Sequence, residues 1–276
     1  MKIAVWLCLA LLPLSAQALK LDGRLEAGIG AMALYVPDYR GADHYNVVPL
    51  PYPYVYYQGK TVQISREGLR ARLFALDRLS LSMSLAATPP VRNADRPPRQ
   101  GMPKLLPVFE IGPALDFQLY EVGGDSLRLR LPVRAALATD FKDFEHAGWL
   151  IEPQLRAQRR GMQLGGWRAN AGANVGVLWG TADYHEHFYG VAPEFAQPGR
   201  PAYVADAGYS GLRTGMYWSF HQDPWRLVTF VQYDWLHGVA FDDSPLFKSE
   251  HAVFGGLMVM YRLYESEPRP SEEASE

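Results

Sequence analysis

The sequence predicts an all-β protein: a single antiparallel transmembrane β-barrel of about twelve strands, with ten to fourteen as the range, short periplasmic turns and long extracellular loops. Three observations carry that reading. Apolar residues recur at every second position in segment after segment. The connections between segments fall into two classes, tight and long, which nearly alternate along the chain. A short apolar leader precedes the whole pattern.

The leader comes first. Lys2 supplies a positive start, Ile3 to Ser15 is apolar apart from Pro13, and Ala16-Gln17-Ala18 has the small-x-small form of a cleavage site. Residues 1–18 therefore read as a secretory signal peptide, with Leu19 the first mature residue. Cys8 lies inside the apolar stretch, where a lipoprotein cysteine does not sit, and it is the only cysteine of the 276 residues. The mature chain then has no disulfide, thiolate metal site or cysteine nucleophile. Cleavage also removes Lys2, leaving 26 basic against 29 acidic side chains, a balance that points to no nucleic-acid partner.

Composition sets the remaining limits. Hydrophobic residues at 48% and charged residues at 20% exclude disorder over the whole chain. With 25 Gly and 21 Pro the chain is a poor helical bundle. Beyond residue 18 no apolar run reaches the roughly 20 residues of a membrane-spanning helix.

The strands follow in order: 24–36, 48–57, 60–66, 68–76, 78–87, 107–121, 125–139, 146–160, 162–180, 203–221, 225–239 and 251–264. The clearest is the seventh. Leu127, Leu129, Leu131, Val133, Ala135 and Leu137 alternate with Arg128, Arg130, Pro132, Arg134, Ala136 and Ala138. Successive side chains of a strand point to opposite faces, so one face is wholly apolar and the other carries three arginines. Trp149, Ile151, Leu155 and Ala157 alternate likewise with Glu152, Gln154, Arg156 and Gln158, and Val253, Leu257, Val259, Tyr261 and Leu263 share a face. The third and fourth segments read either as two strands or as one bent strand broken at Glu67-Gly68. Pro49, Pro51 and Pro53 remove ladder donors, so the second strand should be irregular.

Tight connections are expected at Gln58-Gly59, Asp77-Arg78, Gly123-Gly124-Asp125, Arg160-Gly161 and Gln222-Asp223-Pro224. Long ones fall at 37–47, 88–106, 140–145, 181–202 and 240–250. Such segregation belongs to outer-membrane barrels, and the leader sends the chain to the cell outer membrane, in contact with its lipid. The apolar face then meets lipid and the charged face the lumen. Lumen cations are Arg128, Arg130, Arg134, Arg156, Arg168, Arg213, Arg226 and Arg262; acids on the same face are Glu26, Glu110, Asp116, Glu152 and Asp234. Paired, these charges fill and close a narrow barrel; unpaired, they line an anion-favouring pore. The number of acids favours a plugged or nearly closed lumen. Tyr35, Tyr120, Trp149, Trp167, Trp179, Trp225, Trp235 and Tyr261 lie near strand ends, as interfacial girdles require. Beyond the barrel, 19–264, residues 265–276 carry five acids and one arginine and read as a disordered tail.

Candidate chemistry is thin. Ser219 and His221 share a strand face, but it is the inner one, while Leu212, Thr214, Met216, Trp218 and Phe220 face lipid. His185-Glu186-His187, with Asp183 and a distant His44, could ligate a metal, yet the spacing is no zinc signature and a solvated loop is the simpler expectation. Asp38, Asp242 and Asp243 suit either an acidic rim or ordinary turns. No cofactor, metal site or catalytic residue is assigned, and the chain reads as a non-enzyme.

Several short motifs in order resemble the MipA/OmpV family of outer-membrane proteins. They are Pro37-Asp38-Tyr39-Arg40-Gly41-Ala42-Asp43, Val48-Pro49-Leu50-Pro51-Tyr52, Tyr184 with Tyr189-Gly190-Val191, Pro201-Ala202-Tyr203 with Ala207-Gly208, and Asp243-Ser244-Pro245-Leu246. The resemblance spans essentially the whole mature chain. It implies an outer-membrane barrel acting as a scaffold for peptidoglycan-remodelling enzymes, a lytic transglycosylase (a murein hydrolase) and a murein synthase. The alternative is a narrow channel for small solutes with a weak anion preference. The acidic tail is no part of the family pattern.

Overall fold

The computed structural model describes residues 24–58, 62–65, 68–71, 74–76, 78–88 and 97–266; the expected signal peptide and most of the tail lie outside them. The strands are β1 (Arg24–Pro37), β2 (Tyr45–Pro51), β3 (Tyr54–Gln58), β4 (Val62–Ser65), β5 (Gly68–Ala71), β6 (Phe74–Leu76), β7 (Leu79–Thr88) and β8 (Val108–Val122). After them come β9 (Asp125–Thr139), β10 (Phe144–Ile151), β11 (Gln154–Leu164), β12 (Trp167–Gly180), β13 (Gly208–Gln222), β14 (Trp225–Trp235) and β15 (His251–Glu265). All their pairings are antiparallel, and β1 pairs with β15, so the first strand is sealed to the last.

Three pairs of segments each fill one position in the wall, which makes it twelve-stranded. Both β2 and β3 pair with β1, in one continuous register from Pro37↔Tyr45 to Arg24↔Gln58, interrupted at Tyr52-Pro53 where proline offers no donor. Both β10 and β11 pair with β9 and β12, interrupted at Glu152-Pro153. β5 pairs with β4 and lies against β7, while β6 pairs with β7. Closure is what lipid demands, because no water reaches the bilayer core to satisfy an open edge.

The alternating residues divide as their chemistry requires. Ile29, Ile111, Val133, Leu155, Val175, Met216, Val231 and Leu257 are exposed on the outer face. Glu26, Glu110, Arg130, Arg134, Gln154 and Asp234 are buried on the inner one. Exposed aromatics form two belts: Tyr35, Phe109, Trp149, Trp179 and Trp235 near the long loops, Tyr120, Trp225, Tyr261 and Tyr264 near the short turns.

Three expectations are corrected and one alternative is decided. The turn placed at Arg160-Gly161 is instead a bulge: the register against β12 shifts between Arg159 and Met162, Gly161 has φ +73°, and its N–H donates to Asn170 Oδ1 at 3.0 Å. The chain turns at Gly165-Gly166, where both residues have positive φ and glycine meets no steric penalty. Of the two readings of the third and fourth segments, the two-strand one holds, because β4 and β5 pair antiparallel from Val62↔Ala71 to Ser65↔Gly68. The tenth barrel strand starts at Gly208, not 203, because Tyr203 is held instead in a bridge to Val191. Finally, the last strand runs through Glu265, and Ser266 exchanges hydrogen bonds with Leu25, so the barrel takes in the first residues assigned to the tail.

This division of faces is testable at Leu257, half exposed on the outer wall opposite Ala33 and Thr229. Leu257→Arg should cost about 2–4 kcal/mol of folding stability in urea-driven refolding into vesicles, the range for an arginine facing the bilayer midplane. A loss below about 0.5 kcal/mol, ordinary for a surface substitution, would place that face away from lipid.

Candidate functional site

Of the long loops, 140–145 is exposed; the described parts of the other four fold together into a plug at the mouth of the barrel, with one apolar core. Tyr39 and Ala42 come from 38–44, Leu105 from 97–107, Tyr184, Phe188, Tyr189 and Val191 from 181–207, and Val239, Phe241 and Leu246 from 236–250. Inward-facing Val108, Ala136, Ala138, Leu150, Leu178 and Ala252 of the wall complete it. Tyr189 stacks on Phe241 at 3.7 Å between centroids and 7° between planes, a contact worth about 0.5–1.5 kcal/mol beyond the area it buries.

Polar bonds pin the loops to one another. The Tyr39 hydroxyl donates to Leu246 O (2.6 Å), that of Tyr189 to Arg40 O (2.8 Å) and that of Ser244 to Tyr189 O (2.7 Å). Gly41 O accepts from Lys248 N and Ser249 N at 2.8 and 3.0 Å. Gly41 has φ +84°, and a Cβ there would meet the Phe247 ring at 2.6 Å, so only glycine fits. Of the motif residues, Tyr39, Gly41, Tyr189, Gly190 and Ser244 thus meet in one place. Asp38 accepts from Asn46 (2.6 Å), Asp243 is exposed beside half-buried Pro245, and Pro49 and Pro51 lie on β2 opposite Ala33 and Ala31.

The loop 181–207 contains a helix, α1 (Ala182–Tyr189), which corrects the expectation of a solvated His185-Glu186-His187. Asp183 in its first turn suits the positive end of the helix. His185 is fully buried, with Nδ1 2.6 Å from Asp206 O and Nε2 3.1 Å from Ser210 Oγ. Ser210 Oγ also accepts from Arg40 Nη1 at 3.1 Å. The hydroxyl is therefore free to donate to Nε2, and Nδ1–H donates to the carbonyl, which fixes a neutral imidazole. His187 points elsewhere, to Leu106 O at 3.2 Å, and His44 contacts Asp43. Among the described residues, no group of three or more His, Cys, Asp and Glu is placed to hold a metal.

Beneath the plug runs an unbroken chain of buried charge. Arg40 Nε meets Asp234 at 2.6 Å, and Arg213 meets the same carboxylate twice at 2.8 Å. Arg213 reaches Glu152 at 3.3 Å, Arg134 reaches Glu152 at 2.5 Å and Glu110 at 2.8 Å, and the Tyr184 hydroxyl donates to Glu110 at 3.0 Å. Three guanidinium groups thus face three carboxylates, from the loop at Arg40 across β14, β13, the Glu152 break, β9 and β8 to α1. Sequence alternation marks every member of β8 to β14 as inward, but Arg40 and Tyr184 lie in loops, where no period points a side chain.

Deeper in the barrel, Arg130 pairs with Asp116 at 3.0 Å, and Arg128 and Arg156 donate to Gln118 and Gln154, each at 2.6 Å. Arg226 pairs with Glu26, and Arg262 with Asp223 and Glu265. Arg168 is exposed at the short-turn end, opposite His221. Ser219 and His221 both face inward, but Ser219 Oγ accepts from Asn170 at 3.3 Å, and His221 Nδ1 is buried without a hydrogen-bond partner.

A closed transmembrane barrel whose extracellular mouth is filled by its own loops defines the class: an outer-membrane β-barrel protein. The model of the family described as MltA-interacting protein MipA matches residues 29–263, and the chain belongs to that family. A comparison with curated protein sequences finds no match. Among solved structures, it is similar to a bacterial polysaccharide outer membrane secretin, at 8% identity, 87% of this chain, 99% of the other and a TM-score of 0.39. It is also similar to OpdO and OpdL of Pseudomonas aeruginosa, at 8% and 10% identity, 87% of this chain, 97% and 99% of theirs and TM-scores of 0.26 and 0.27. Overlaps this loose carry no information about the site.

Two outcomes follow from the geometry. Glu152→Gln leaves Arg134 and Arg213 short of a buried counter-charge and should destabilise the barrel by about 3–5 kcal/mol in a denaturant titration, whereas an exposed pair such as Asp125–Arg159 is worth under about 1 kcal/mol. Burial holds the His185 pKa below its ordinary value, an effect only partly opposed by its bond to the Asp206 carbonyl. The opened plug then binds a proton that the closed plug refuses, so closure weakens as pH falls below about 6.5. Amide exchange across 182–189, corrected for intrinsic rates, should quicken from about pH 7.5 to about pH 5, and His185→Gln should flatten that dependence. Protection in the wild type that is indifferent to pH would refute the role of His185.

Proposed function

We propose that this protein is a non-conducting scaffold: a barrel that anchors peptidoglycan-remodelling enzymes at the periplasmic face of the outer membrane. One observation carries the reading. The mouth is filled by an apolar core resting on a neutral chain of buried ion pairs, an arrangement suited to keeping solutes out. A solute channel gains nothing from burying three arginines against three carboxylates, because ions need a path of weak, exposed sites. Catalysis by the barrel is no part of the proposal: Ser219 is hydrogen-bonded to Asn170 rather than to His221.

The name of the matched family model describes an interaction with MltA, which supports a partner-binding role for this chain also. The surfaces offered to the periplasm are the short turns at Gly123-Gly124, Gly165-Gly166 and Asp223-Pro224 and the end of β15, which leads into the acidic tail. Affinity capture on the tagged protein from detergent-solubilised envelopes should enrich a lytic transglycosylase or a murein synthase. Deleting 267–276 should reduce the yield if the tail takes part. Capture of neither enzyme class, with the barrel folded, would remove the scaffold reading.

A further inference from the structure

The outer wall carries a hollow that a lipid-facing sheet has no structural need for. Two adjoining depressions of about 370 and 460 Å³ run along the outside of β9, β11, β12 and β13. They share Leu127, Ala157, Ala173 and Met216, so they form one furrow. Its floor is recessed because Ala157 and Ala173 stand directly opposite each other, with Ala171 next on this face of the strand, while Leu155, Val175 and Trp218 on the same face are large. An apolar furrow inside a bilayer is not filled by water, and left empty its walls forfeit their dispersion contacts.

One end of the furrow is charged. Arg159 and Asp125 line it at the short-turn side and are cross-strand partners, with an N···O separation of 3.7 Å. Their side chains are 67% and 47% exposed, so each keeps hydrogen-bonding capacity to spare. Asp125 directly follows the turn at Gly123-Gly124, which puts the pair at the level of the periplasmic headgroups. Exposed Tyr120 lines the same end and has an interfacial preference.

We propose that this furrow is a binding site for one phospholipid of the periplasmic leaflet with a zwitterionic, primary-amine headgroup. An acyl chain lies over Ala157 and Ala173, the phosphate accepts from the Arg159 guanidinium, and the headgroup ammonium donates to the Asp125 carboxylate. The charges of ligand and site are complementary in sign and order. A headgroup with a phosphate and no cation brings nothing to the Asp125 carboxylate beyond its partner Arg159, and a trimethylated ammonium has no N–H to donate.

Native mass spectrometry tests this on the full-length barrel in mild detergent, supplied in turn with phosphatidylethanolamine, phosphatidylglycerol and phosphatidylcholine. One phosphatidylethanolamine should stay bound, with about tenfold preference over the other two, the size expected for a lost charge-assisted hydrogen bond. Arg159→Gln and Asp125→Asn should each abolish the preference. Ala157→Phe, which fills the floor, should abolish retention of any lipid while heat-modifiable migration shows the barrel intact; Ala173→Phe serves if that variant does not fold. Retention equal across headgroups, retention unchanged by filling the furrow, or a lipid-free dimer with a second copy over the furrow would each overturn the proposal.

Discussion

The structure hangs on one interaction, the buried charge chain from Arg40 to Glu110. It joins a loop at the start of the sequence, four strands of the wall and the only α-helix among the described residues. Each carboxylate is held from two sides: Asp234 by Arg40 and Arg213, Glu152 by Arg213 and Arg134, Glu110 by Arg134 and Tyr184. Removing charges from water is costly, and only a chain in which each member is answered repays that cost. Equal numbers of the two signs make the belt neutral, so apolar loops can rest on it without burying net charge. The plug is thereby keyed to the wall by specific partners as well as by hydrophobic contact.

The order of causes runs outward from there. Lipid excludes unpaired backbone, so the wall must close, and β1 meets β15. Closure creates an inside too narrow to be a wide aqueous pore at twelve strands. The inner face is therefore filled, partly by paired side chains of the wall and partly by the loops. Tyr39, Tyr189, Phe241 and Leu246 bury apolar surface that would otherwise face water at the cell exterior. The short-turn end carries no such cap among the described residues, and it is the end turned to the periplasm.

Much of the wall was legible from sequence because a period of two is a local property. Leu127 to Leu137 and Arg128 to Arg134 declare their faces without reference to any other strand. The same alternation put Arg134, Glu110, Glu152 and Asp234 inside, but it could not say who pairs with whom, because that depends on register between strands. It misplaced the turn near Arg160 because a glycine after a basic run signals a bulge and a hairpin equally well; only the pairing of Met162 with Ala169 separates the two. The plug was illegible for a deeper reason. Arg40, Tyr184, His185 and Ser210 come together from connections and strand ends far apart in the chain, and loop side chains follow no period. The balance of inward charges pointed to a filled lumen, but the only sequence signal for the loops that fill the mouth was the family motif around Tyr39, Tyr189 and Ser244, which marks the residues without giving their geometry.

Conductance is the most direct test of a barrel closed by its own loops. On the proposed non-conducting reading, purified protein inserted in a planar bilayer at neutral pH should show no discrete open levels, because buried ion pairs and an apolar core offer ions no row of weak, exposed sites. Steady, well-resolved open levels in the unmodified protein at neutral pH would contradict the proposed closed lumen, and with it the proposal that this barrel is a scaffold.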